Sequence, residues 1–127
     1  MPKSELPRPT DAELALLRIL WARGPSTVRQ VLEATGAETG YTTVLKTLQI
    51  MTEKGLVTRD DAERTHVYQA RLPESSTQRQ LIADLLDRAF SGSASKLVLQ
   101  ALSAKKASTQ ELKEIRKLLD EIEGKSR

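Results

Sequence analysis

Between Tyr41 and Gln49 the chain reads YTTVLKTLQ, and its polar members Thr42, Thr43, Lys46, Thr47 and Gln49 could together grip DNA. Hydroxyl and ammonium groups bond to phosphate, and a glutamine amide can pair with the major-groove edge of adenine. Leu45 and Ile50, placed among them, could touch a thymine methyl. A helix of about 13 residues is about 20 Å long and fits a major groove. Further on, Arg59 and Arg64 flank a turn and could clamp phosphates. Asp60, Asp61 and Glu63 at the turn's tip oppose that. This turn is therefore expected to make one or two backbone contacts at most, with no deep minor-groove insertion. The structural alternative is that the polar side of this helix is only the solvated side of a core helix. The order of elements around it favours DNA.

Other chemistries find little material. With no cysteine, a disulfide framework, a zinc finger and a cysteine nucleophile are excluded. The single histidine, His66, would need carboxylates alone as fellow metal ligands, so it reads as a hydrogen-bonded strand residue. Trp21 reads as a core anchor. Nothing resembles a nucleophile elbow, a phosphate-cradling glycine loop or a metal-binding helix, so neither an enzyme nor a cofactor is expected. Net charge is only +3; residues 1 to 72 hold ten Lys and Arg against nine Asp and Glu. A case for nucleic acid must therefore rest on where the cations lie. MPKSELPRPT has no signal-peptide core and no window is apolar enough to span a membrane, so a cytoplasmic protein with no membrane partner is expected.

The elements that position these residues follow from local signals. Thr10 and Glu13 form a capping box ahead of an apolar run, so a first helix starts near Asp11 and stops at Gly24-Pro25. A second starts at Ser26 or Thr27, turns Val28, Val31 and Leu32 inward and ends at Gly36. The third has Thr42 as N-cap and Gly55 as stop, with Val44, Leu48 and Met51 as one inward stripe. LVTRD and THVYQA then read as two strands joined through DAER. Three helices closed by a hairpin is the order of a winged helix-turn-helix, whose third helix is offered to DNA.

Pro73 marks a boundary between residues 1–72, the DNA-binding domain, and 73–127, which are helical. Leu81, Ile82, Leu85, Leu86 and Phe90 form one stripe, and Leu97, Val98 and Leu102 a second. Ser108 and Glu111 make another capping box before Leu112, Ile115, Leu119 and Ile122, whose spacing is a heptad seam. Aromatic residues make up 3% of the chain, so the core must be aliphatic, which favours helices. The fold class expected is mostly α with a small β-hairpin. Three amphipathic helices of some 50 residues bury little alone, and a second copy is the expected partner.

With these residues placed, the chain resembles the penicillinase repressor family, bacterial transcription factors that include the β-lactamase and methicillin-resistance repressors. The resemblance rests on TDAELALLRILW, YTTV with EKGLV, HVYQA, and FSGSASKLVLQAL followed by STQELKEIRKLL, in that order. It implies a homodimer that binds a palindromic operator and blocks transcription, with Thr42, Thr43, Lys46, Thr47 and Gln49 as recognition positions. Lys46 and Ile50 stand where those repressors commonly carry Thr and Arg, so a different operator is expected. Some members are inactivated by a regulatory protease at an Asn-Phe bond, where this chain has Gln100 and Ala101. Copper-responsive relatives use cysteines, which are absent here. A rival reading from another class is a winged-helix protein-interaction module that docks partners on the apolar flank of the third helix.

Overall fold

In a computed structural model, residues 7–36 and 39–125 are described. Residues 1–6, part of the N-terminal stretch read above as lacking a signal peptide, lie outside them. The first helix, α1, spans Asp11–Arg23 and begins at the expected capping box: the Thr10 hydroxyl accepts from the Glu13 amide, and Glu13 accepts from the Thr10 amide. Gly24, at φ 87°, ends it in a conformation open to glycine. A two-residue strand β1, Ser26–Thr27, comes next, and α2, Val28–Thr35, starts from a second reciprocal box between Thr27 and Gln30. Helix α3 spans Tyr41–Lys54 and closes on Gly55, whose φ of 84° lets its amide turn back to the last carbonyls. Strands β2, Val57–Asp60, and β3, Val67–Ala70, follow.

The sheet order is β1-β3-β2, all antiparallel, with Ser26 opposite Tyr68 and Arg59 opposite Tyr68 on the other side. The expected hairpin is thus the larger part of a three-stranded sheet. Two residues of β1 carry no strand periodicity, and only pairing with β3 makes them a strand. The hairpin strands are also shorter than expected. Leu56 precedes β2, and Thr65 and His66 belong to the turn. There polar side chains bond within the turn: Asp60 accepts from the Ala62 amide at 2.9 Å.

One core, mostly aliphatic, joins these elements. Leu16, Leu17 and Leu20 of α1, Val28 and Val31 of α2, and Val44, Leu48 and Met51 of α3 are buried with Leu56, Val57 and Tyr68. The expected inward stripe of α3 is therefore its buried stripe. Trp21 packs against the core while its indole nitrogen donates to the Leu72 carbonyl at 3.0 Å, which ties the end of α1 to the chain after β3. Winged-helix order and topology follow from this arrangement.

Helix α4 spans Glu74–Ala89, α5 Ala94–Ala104 and α6 Thr109–Lys125. The chain forms two compact units that divide between Leu81 and Ile82, within α4. Serines begin the later helices as caps: Ser93 accepts from the Lys96 amide, and Ser108 and Glu111 form the expected box. Among the described residues from 82 onward, no side chain is buried. No described helix is long and apolar enough to cross a membrane.

Candidate nucleic-acid interface

Burial of Val44, Leu48 and Met51 decides which way the rest of α3 points. Side chains at 42, 46, 49 and 53 recur at helical spacing on the side away from that stripe. Thr42, Thr43, Lys46 and Gln49 are all exposed. Ile50, 40% exposed, lies beside them. The structure brings these five onto one outward surface about two and a half turns long.

Three sequence-level assignments need correction. Thr42 is not the N-cap: Gly40 holds that position in extended geometry, and α3 starts at Tyr41. Among the described residues, no side chain bonds to the amides of the first turn, and an outside acceptor such as a phosphate oxygen suits donors at a helix start. Leu45 is not an exposed contact residue but is half-buried and packed against the core. Its position, three residues before the buried Leu48, widens the inward stripe to include it. His66 is not on a strand, although it does make a close polar contact.

Thr47 is half-buried, and its hydroxyl donates to the Thr43 carbonyl one turn earlier at 2.8 Å. One lone pair of that oxygen can still accept. Thr43 and Thr47 line a groove of about 390 Å³ together with Ala12, Ala15, Leu16 and Ile19 of α1. Thr47 thus belongs to the flank of the outward surface and not to its crest.

Two residues that the sequence reading passed over stand at the edge of this surface. Tyr41 is 44% exposed, and the Arg29 guanidinium of α2 lies 5.6 Å from its ring centroid. The contact places a cation from α2 next to the start of α3. An exposed aromatic directly ahead of the polar run was the available signal.

At the far end of α3, Lys54 Nζ donates to Glu13 Oε1 at 2.6 Å and to the Arg8 carbonyl at 3.2 Å. Burial raises the Glu13 carboxyl, but the Lys54 hydrogen bond, the Thr10 amide and the Lys54 charge outweigh it and hold the group below its ordinary value of 4.5. This pair anchors the last turn of α3 to the first turn of α1.

In the wing, Arg59 and Arg64 are both exposed. Arg59 forms an ion pair with Asp61, 2.8 Å from Nε to Oδ1, and that hydrogen bond raises the guanidinium pKa further above its usual range. His66 Nδ1 lies 2.7 Å from the same Asp61 oxygen.

The twelve residues expected at a dimer contact are half-buried or exposed. Ile82, Leu85, Val98, Leu102, Leu119 and Ile122 are exposed, whereas Leu81, Leu86, Phe90, Leu97, Leu112 and Ile115 are half-buried. Leu99, at 65%, and Leu118, at 54%, are as open as any of them and were not foreseen, because they fall beside the helical stripes.

Comparison with known proteins adds a family. A model described as penicillinase repressor matches residues 9–121. A transcriptional regulator BlaI of Mycobacterium tuberculosis is 43% identical over 68 residues, 51% of this chain and 49% of that protein. The chain thus spans about half the length of that relative. A penicillinase repressor of Bacillus licheniformis is 23% identical over 97% of this chain and 98% of its own. Among solved structures, the DNA-binding domain of the repressor BlaI aligns with a TM-score of 0.49 at 22% identity, covering 57% of this chain and 90% of that one.

Proposed function

The chain belongs to the penicillinase repressor family, and on that premise we propose that it is a cytoplasmic, homodimeric repressor that binds a palindromic DNA operator through α3. The observation that carries this reading is the outward surface of α3. Thr42, Thr43, Lys46 and Gln49 present donors, an acceptor and a cation where the core leaves them free, at the height of a helix that fits a major groove. Lys46 and the threonine hydroxyls hold phosphate and set register. Gln49 reads a base edge. Arg59 and Arg64 lie at the wing, where the neighbouring duplex backbone would pass.

We place the DNA-binding part in residues 1–72 and the dimerisation part in 73–127. Supporting the second assignment, Leu99, Leu118, Leu119 and Ile122 are each more than half exposed in the single chain, and a second copy covering them removes that apolar surface from water. Two reading heads on one two-fold axis make the second half-site contact intramolecular and tighten binding by orders of magnitude. Gln100 and Ala101 replace the Asn-Phe pair at which some members of the family are cut, which speaks against cleavage by a regulatory protease at this bond. The Gln100–Ala101 bond lies inside α5, so cutting there requires that helix to open locally.

A mobility-shift titration tests the proposal, using DNA from upstream of the chain's own gene against a scrambled fragment at two salt concentrations. Tight, sequence-dependent binding that weakens steeply with salt is expected. Equal, weak binding to both fragments, together with capture of a protein partner by the α3 surface, would replace the operator reading with that of a protein-interaction module.

A further inference from the structure

Asp61 stands between Arg59 and His66. Arg59 donates from Nε to Oδ1 at 2.8 Å and from Nη2 to Oδ2 at 3.2 Å, so the guanidinium fork meets both carboxylate oxygens. His66 Nδ1 approaches Oδ1 from the other limb of the turn at 2.7 Å. The Asp60 side chain accepts from the Ala62 amide and holds the backbone of the turn that carries Asp61. Arg59 and Asp61 are only two residues apart, so this contact forms without ordering any distant segment.

An arginine in this position has two possible partners. A phosphate offers the same two-oxygen geometry as the Asp61 carboxylate, and the fork cannot satisfy both through the same two donors. The side chains of Arg59 and Asp61 are 37% and 51% exposed, so water reaches the pair and a phosphate could compete for it. Unless Asp61 yields, the wing's net contribution to binding is small.

We propose that Asp61 is a positioning residue that restrains the wing: it holds the Arg59 guanidinium against its own carboxylate and withholds it from DNA phosphate, setting affinity below what the wing cations alone would supply. The inference rests on the DNA-binding reading above. It assigns Asp61 a role in tuning affinity, while Thr42, Lys46 and Gln49 provide position and sequence reading. Because a phosphate clamp is blind to sequence, Asp61 acts equally on operator and scrambled DNA.

The test titrates the full-length protein and four variants on the upstream fragment and on its scrambled counterpart, between about 0.05 and 0.2 M salt. Asp61→Asn frees Arg59 and is expected to tighten binding to both fragments. Its log-log salt slope becomes steeper by about 0.9 for each wing engaged, so the rise in salt costs it roughly threefold more affinity per wing than the wild type. Glu63→Gln removes the same charge from the same turn without touching Arg59, and should change affinity less than about twofold. Arg59→Ala alone sets the baseline for the double variant, and combined with Asp61→Asn it should cancel the gain. All the altered residues are exposed, and a thermal melt of each variant checks that the fold is retained. Equal gains from Asp61→Asn and Glu63→Gln would reduce the effect to general charge. A gain that survives loss of Arg59 would overturn the inference outright. Wild-type binding with no gain in Asp61→Asn refutes this inference alone, whereas no DNA binding by the wild type refutes the functional reading and this inference with it.

Discussion

Glu13→Gln removes one charge from the contact that fixes α3 against α1, and little else. Glutamine keeps the oxygen that accepts from the Thr10 amide at 2.9 Å, so the capping box survives. The ionic part of the 2.6 Å contact with Lys54 is lost. A hydrogen bond to a charged group contributes about 1.5–3 kcal/mol, and the side-chain exposures place this one toward the lower end. Glu13 is 7% exposed, but Lys54, at 32%, keeps part of its hydration when its partner is neutral. The expected loss is therefore about 1–2 kcal/mol at neutral pH. For a domain of this size each kcal/mol lowers Tm by about 4–8 °C.

The pH dependence provides the sharper check. The folded-state pKa of Glu13 is depressed, so its contribution is fully present above the ordinary carboxylate value of 4.5 and is lost as pH falls through the lower, folded value. Urea unfolding of wild type and variant should differ most at neutral pH and converge in acid, where the wild-type carboxyl is itself neutral. Lys54→Met completes a double-mutant cycle whose coupling should reach about 1 kcal/mol. An undiminished difference in acid, or a cycle that is additive within about 0.5 kcal/mol, would refute the reasoning. Since Lys54 closes α3, operator affinity should fall alongside stability.

Leu48→Ala empties a fully buried site between Val44 and Met51 and should cost about 2–5 kcal/mol in a denaturant melt. On the outward face, Lys46→Ala should weaken binding to all sequences and flatten its salt dependence by about one unit of slope, whereas Gln49→Ala should mainly reduce discrimination between operator and scrambled DNA; identical profiles would undo these roles. Leu119→Asp, at an exposed position of α6, should abolish dimers in sedimentation velocity and weaken operator binding by orders of magnitude, with the melt of the N-terminal unit unchanged.

Much of the fold was legible because its signals are local. The boxes at Thr10 and Ser108 join residues three apart, and both form as expected. The stripe Val44, Leu48 and Met51 is set by helical period alone, and it chooses the outward face of α3 by exclusion. That Gly55 would end the helix could likewise be read from the chain, since a left-handed terminus favours glycine. The polar residues at 42, 46 and 49 could therefore be grouped before any coordinates were known.

The remainder depends on residues that meet only after folding. Ser26 and Thr27 become a strand through β3, some 40 residues away, and no alternation of two residues can announce that. Lys54 finds Glu13 across 41 positions and Trp21 finds Leu72 across 51. The half-buried state of Leu45 and Thr47 reflects neighbours outside α3 that a helical wheel does not contain. In the wing, the composition DAERTH showed opposing charges, but only turn geometry decided that Asp61 would take both Arg59 and His66. By itself, the sequence determined the helices and the side of α3 facing away from the core, because residues within one or two turns meet in any helix. Tertiary structure decided which cations are held and which are free, because a charge is paired only when a distant or turn-borne partner is brought within hydrogen-bond reach.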